Sequence, residues 1–228
     1  MFRGKKYKKI AESIDRAKAY GLKEAIEILK KSELKFDQTV EVHFNLGVDP
    51  KHSDQVVRGT VVLPHGTGRQ VRVLVFCKDN NLEVAKNAGA DYAGGADLVQ
   101  KIQEGWLDFD AVVATPDMMP VISKVARVLG PRGMMPSPKA GTVTVNVAQT
   151  VKELKAGKIS YRVDKGANVH APVGKLSFTV DQLAENAQSV IDSVVKNKPQ
   201  SSKGTYIKSL TLTATMAPGI KLDMALTR

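Results

Sequence analysis

The hydrophobic pattern of this chain changes period twice along its length, and this constrains the fold more than any single motif does. Near the start, Val40, Val42, Phe44 and Leu46 alternate with Glu41, His43 and Asn45. Near the end, Leu210, Leu212, Ala214 and Met216 alternate with Ser209, Thr211, Thr213 and Thr215. A period of two buries one face of a strand and leaves the other to solvent. Between these stretches, VRVLVFC and DAVVAT are short unbroken apolar runs, with helix-like segments over residues 82–88 and 98–105 separating them. Runs of that kind suit parallel strands covered on both faces.

The remaining segments complete the outline. Ile10, Ala11, Ile14 and Ala17 predict a helix over residues 5–20, and Leu22, Ala25, Ile26 and Leu29 predict a second. Further helices are expected over 118–129 and 150–156, and around Leu183, Ala187, Val190, Ile191 and Val194, the last stopped by Pro199. Short β runs are expected at 56–63 and in TVTVNV, ISYRV and KLSFTV, while GTGRQ and AGADYAGGAD read as turns and helix ends and PHGTG as a hinge or sharp turn. The flanks thus spell ααββ and ββαβ around an α/β centre. The expected fold class is α+β and α/β in two domains, with residues 1–67 plus 159–228 forming an α+β domain and 68–158 an inserted α/β domain.

Charge narrows the class of partner. The 228 residues include 34 Lys plus Arg against 23 Asp plus Glu, a net +11, which favours a polyanion. A hydrophobic content of 43% supplies a real core and argues against wholesale disorder. No apolar run approaches the roughly 18 residues of a membrane span, and MFRGKKYKK lacks an apolar stretch behind its charges, so neither a membrane partner nor secretion is expected. The single Cys77 excludes an internal disulfide framework and a multi-cysteine zinc site, and suits the cytoplasm. His43, His52, His65 and His170 are widely separated, and GxSxG, Walker A and GxGxxG patterns are absent. No enzyme, cofactor or metal site is expected.

Several features could meet RNA. The row Ser209, Thr211, Thr213 and Thr215 offers hydroxyls that can lie along a sugar-phosphate backbone, although threonines also make ordinary solvated strand faces. Phe36, beside Lys35, either stacks on a base while the lysine meets a phosphate or plugs the core below a helix. Residues 130–139, with Arg132, Lys139, Met134 and Met135, form either a recognition loop or a stiff connection. Arg3, Lys5, Lys6, Lys8 and Lys9 make a basic arm or a solvated terminus.

The stretches KFDQTVEVHFNLGVDPKHSDQVVRGTVVLPHGTG, AGADYAGG, DFDAVVATPDMM, GPRGMMPSPKAGTV and HAPVG (170–174) occur in an order that resembles the bacterial ribosomal protein L-one family, the large-subunit protein of the mobile ribosomal stalk. The resemblance covers nearly the whole chain. It implies a discontinuous first domain and an inserted three-layer, Rossmann-like α/β domain joined by a hinge. It further implies binding to large-subunit (23S) rRNA mainly through the first domain, assistance in releasing deacylated tRNA from the exit site, and repression of the protein's own operon mRNA. The implied setting is the cytoplasm, within the large ribosomal subunit, with a monomer when free. Matched motif by motif, the implied RNA surface is Lys35, Phe36, Thr39 and Glu41; Arg162, Lys165, His170 and Lys175; and Ser209, Thr211, Thr213, Thr215 and Met216. Glu41 would accept from base amino groups or a 2′-hydroxyl. The chain departs from the family pattern at Ala217, where glycine is usual, and at Met134, Met135 and Ser137, where an aliphatic pair and asparagine are usual. A positive φ or close RNA approach at Ala217 would make its methyl costly, with Gly219 then taking over the turn.

Overall fold

The computed structural model describes residues 4–32, 34–78 and 81–227. In chain order the helices are α1 Lys5–Glu12, α2 Leu22–Lys30, α3 Leu82–Asn87, α4 Ala96–Gln103, α5 Met119–Ile122, α6 Ala126–Leu129, α7 Val147–Lys155 and α8 Val180–Lys196. The strands are β1 Thr39–Leu46, β2 Arg58–Val62, β3 Val73–Phe76, β4 Tyr92–Gly94, β5 Ala111–Ala114, β6 Lys158–Arg162, β7 Asn168–Lys175, β8 Ile207–Ala214 and β9 Ile220–Lys221. The result is a mixed α/β chain whose contacts divide it into two compact units, Met1–Gly68 with Ile159–Arg228, and Arg69–Lys158.

In the first unit, a four-stranded sheet runs β7-β1-β8-β9, with β1 antiparallel to both neighbours, and β2 pairs with β6 separately. Val40, Val42, Phe44 and Leu46 of β1 share a core with Val169, Ala171 and Val173 of β7 and Leu210, Leu212 and Ala214 of β8. α2 contributes Ala25, Ile26 and Leu29 to this core and α8 contributes Leu183, Ala187, Val190, Ile191 and Val194, so helices cover one face of the sheet. Thr179 caps α8 in a reciprocal box with Gln182. Asn186 of α8 is buried and fully used: its carbonyl accepts from His65 N–H (3.0 Å), and its amide donates to Gly66 (3.0 Å) and Val173 (2.7 Å) carbonyls. This side chain ties the PHGTG turn, where Gly66 and Gly68 have positive φ, to β7.

The second unit holds a parallel sheet in the order β4-β3-β5. Alternate residues of β3 enter opposite cores. Leu74 and Phe76 pack with Leu98, Val99 and Ile102 of α4, while Val73 and Val75 pack with Ala85 of α3 and Val151 of α7. Cys77 is buried in the latter cluster.

Five expectations change. The first helix ends at Glu12, short of Tyr20. Asp15 diverts the backbone by accepting from Ala17 N–H (2.9 Å) and donating its own N–H to Tyr20 Oη (2.8 Å), and only Ile10 is buried to hold a longer helix down. KLSFTV is no strand beyond Lys175, because Thr179 and Gln182 begin α8 there; the strand lies earlier, over Asn168–Lys175. TVTVNV contributes one bridge, Val143 to Ala114; the Thr142 and Thr144 hydroxyls and Asn146 serve local turns and the α7 cap instead. Tyr92–Gly94, read as part of a turn, is a strand. Residues 116–129 break into short 3-10 and α turns, with the Ser123 hydroxyl bonding back to the Pro120 carbonyl (2.6 Å) and Val125 leaving helical geometry at φ −104°.

Candidate nucleic-acid interface

Strand pairing assembles the polar side of the first unit's sheet in rows. Thr39 lies opposite Lys175, whose Nζ donates to Thr39 Oγ1 at 2.9 Å. Glu41 lies between Pro172 and Thr213, His43 between His170 and Thr211, and Asn45 between Asn168 and Ser209. At the outer edge, Thr211 faces Lys221 of β9. The rings of His43 and His170 meet edge to face with centroids 4.8 Å apart, and Asn45 Nδ2 donates to Asn168 Oδ1 at 2.8 Å. Burial, and secondarily the neighbouring His170, pushes the His43 imidazole below its usual pKa.

Two irregularities shape this face. On β7 the register shifts beside Val40 and Glu41, so that Val173 and Gly174 are both buried and Lys175 returns to the polar side. After β8 the chain turns through Thr215 and Met216, with Ala217 N–H donating to the Ala214 carbonyl at 2.8 Å. Thr215 donates from N–H (3.0 Å) and Oγ1 (3.3 Å) to the Thr39 carbonyl, which holds the turn against the start of β1. Met216 takes φ +63° and is 71% exposed. The left-handed position is therefore Met216 and not Ala217, whose methyl is half-buried against the core. Gly219 serves close approach rather than the turn, since a Cβ there would lie 2.9 Å from Thr211 Cγ2.

The lead into β1 belongs to the same end of the sheet. Phe36 is 46% exposed and so is not a core plug, and Lys35 beside it is exposed too. Asp37 fixes the segment by accepting from Ser177 N–H (3.1 Å) and Oγ (2.8 Å) in the loop after β7. Lys165 sits in the exposed turn before β7. Asp164 organises that turn, accepting from Gly166 (2.8 Å) and Asn168 (2.7 Å) N–H groups, and the Asn168 bond first among these holds its carboxyl below the usual carboxylate range. Arg162 stands apart by pairing, being the exposed last residue of β6 in the two-stranded sheet.

Thr39, Glu41, His170, Lys175, Ser209, Thr211 and Thr213 thus share one face, Thr215 and Met216 close its end, and Lys35 and Phe36 approach it. The same face carries His43, Asn45, Asn168 and Lys221, which the expected set omitted. His43 and Asn45 were visible as the polar half of β1; Asn168 and Lys221 depend on β7 and β9, whose pairing no local pattern announced.

Other candidate features lie elsewhere. Arg3 of the basic arm is outside the described residues, and Lys5, Lys6, Lys8 and Lys9 are on α1. In the second unit, Met134 and Met135 pack against the α4 side of the sheet, and Arg132 and Lys139 are exposed. Among the described residues, no group of three or more His, Cys, Asp or Glu is placed to hold a metal ion, and no helix is long and apolar enough to cross a membrane.

Hydroxyls, amides and imidazoles laid out on a sheet, with lysines at its margins, have the chemistry of a surface for a sugar-phosphate partner, and the net charge of +11 agrees. The family comparison is more specific: a sequence model of the ribosomal protein L1p/L10e family matches residues 27–218, most of the chain. The chain belongs to that family. Membership makes it a ribosomal protein of the large subunit, a class that binds ribosomal RNA.

Proposed function

We propose that the polar face of β7-β1-β8-β9, together with the Thr215–Met216 turn and the Lys35–Phe36 approach, binds the folded large-subunit rRNA of the mobile stalk. The observation that carries this reading is the convergence of hydroxyl, imidazole and lysine side chains from four strands on one side of a sheet whose other side is core. In this reading residues 1–67 with 159–228 act as the RNA-binding domain, and 68–158 form an inserted domain that moves with the stalk. The role is recognition, with no bond made or broken and no cofactor, in the cytoplasm and with a monomeric free protein.

The resemblance supports two further roles, assistance in releasing deacylated tRNA from the exit site and repression of the protein's own operon mRNA. Repression would use the same recognition, since an mRNA that imitates the rRNA fold competes for the same face.

Thr215→Val tests the end of the face, because valine keeps the β-branched shape and removes the hydroxyl with its 3.3 Å bond to the Thr39 carbonyl, while the shorter backbone bond from Thr215 N–H to that carbonyl still holds the turn. A lost hydrogen bond of about 0.5–1.5 kcal/mol lowers affinity for a stalk rRNA fragment roughly two- to tenfold at fixed salt, with the fold retained. An unchanged Kd places Thr215 off the interface.

A further inference from the structure

His43 and His170 face each other across β1 and β7 in the middle of the polar face, with the Nδ1 atoms 2.6 Å apart. Two bare lone pairs repel at that distance, so one Nδ1 carries a hydrogen and the other accepts it. The outer nitrogens look toward carboxylates: His43 Nε2 is 3.7 Å from Glu41 Oε2, and His170 Nε2 is 3.5 Å from Asp164 Oδ2. Glu41, His43, His170 and Asp164 therefore form one line of four titratable groups. On the other sides, β8 contributes the uncharged Thr211, β9 places Lys221 beside Thr211, the next row is the Asn45–Asn168 pair, and Lys165 follows Asp164 in its turn.

Proton counting along this line is informative. In a neutral pair, the ring that donates through Nδ1 has a bare Nε2, and that lone pair faces a carboxylate. One more proton fills this position without disturbing the Nδ1 bridge, so that both Nε2 atoms present N–H to carboxylates. A further proton would put hydrogen on both Nδ1 atoms and break the bridge. The pair accordingly has a place for one added proton within the bridge and for a second only by opening. Without that proton, Glu41 and Asp164 leave two negative charges in the line; with it, one is cancelled. An approaching phosphate favours the protonated form.

We propose that His43 joins His170 as a proton-linked RNA contact: RNA docking on this face drives uptake of one proton by the pair, so affinity rises as pH falls through the imidazole range. The proposal rests on the sheet face being the RNA surface. Desolvation of His43 in the free chain works in the same direction, since it keeps the proton off until RNA arrives. A proton bound in the complex and absent from the free chain means that lower pH favours the complex.

The test is equilibrium binding of a large-subunit rRNA stalk fragment from pH 8 to 5.5 at fixed ionic strength, for the unsubstituted chain and for His43→Gln and His170→Gln. Glutamine remains polar but does not titrate. Each profile is scaled to its own value at pH 8, which removes any general loss of affinity, and titration of the RNA, common to all three, cancels when the scaled profiles are compared. The unsubstituted chain gains about tenfold over this range, never more than a decade per pH unit, and either substitution flattens the gain. Should a variant fail to fold, NMR of the imidazole C–H resonances in the unsubstituted chain decides: the pair titrates at higher pH in the complex, with His52 and His65 as internal references. A flat profile, a gain that survives in both variants, or resonances unmoved by RNA overturns the linkage and leaves the sheet face standing. Binding no better than to a scrambled duplex at every pH overturns both.

Discussion

Holding methionine at φ +63° costs roughly 1–2 kcal/mol relative to the common backbone regions, and at Met216 little packing offsets it because the side chain is 71% exposed. Ala167, in the Asp164 turn, is the other non-glycine residue with positive φ among those described. A strained backbone that displays an apolar side chain beside Thr215 and Thr39 is understandable if the side chain meets a partner. Met216→Gly should leave the stability within about 1 kcal/mol of the parent, since relieved strain and added unfolded-state freedom oppose one another. Affinity for stalk RNA should fall roughly fivefold, about 1 kcal/mol. Calorimetric melting and RNA titration of the same preparation check both halves, and full affinity in a stable variant removes Met216 from the interface. Glu41 belongs to the same argument. It lies between Pro172 and Thr213 with His43 Nε2 3.7 Å from its carboxylate, so on the proposed RNA face it would supply an acceptor for base amino groups or a 2′-hydroxyl.

At the level of elements, β7 decides whether the face exists. It is an edge strand, which is why Pro172 is tolerated, and its irregular register returns Lys175 to the polar side opposite Thr39. Gly174 makes this possible with φ +152° and no side chain; a Cβ there would lie 3.0 Å from both Leu183 and Phe178. Gly174→Ala is expected to destabilise the fold by about 1–3 kcal/mol and to weaken RNA binding beyond what the loss of folded protein explains. Denaturant unfolding beside RNA titration separates the two, and a variant of unchanged stability contradicts this account of the bulge. The same strand marks the limit of what could be read in advance. β1 and β8 were legible because their alternation is unbroken. In β7 the alternation of Val169, Ala171 and Val173 is masked by Pro172 and Gly174, and the neighbouring KLSFTV alternates by accident while a capping box starts a helix. β4 and β9, three and two residues long, carry too little pattern to be seen. The hydroxyl row was legible as one polar face of β8, Phe36 was open between core and surface until its exposure decided for the surface, and Lys221 needed a strand pairing made by backbone geometry alone.

For the whole molecule, the open competition is between a shaped surface and a diffuse charge. A net +11 attracts any nucleic acid, and that attraction weakens steeply as salt rises because it rests on released counterions. The sheet face adds hydroxyls, amides and imidazoles whose bonds depend on the position of each partner and change little with salt. The exposed Arg132 and Lys139 of the second unit and the lysines of α1 belong to the diffuse term unless a partner of defined shape meets them. The most direct measurement is binding of the purified chain to a stalk rRNA fragment and to a scrambled duplex of equal length, each across a salt series. A shaped face predicts tight binding to the fragment that survives moderate salt, while the duplex is lost. Equal and equally salt-sensitive binding to both would contradict it and leave the chain a generic polycation.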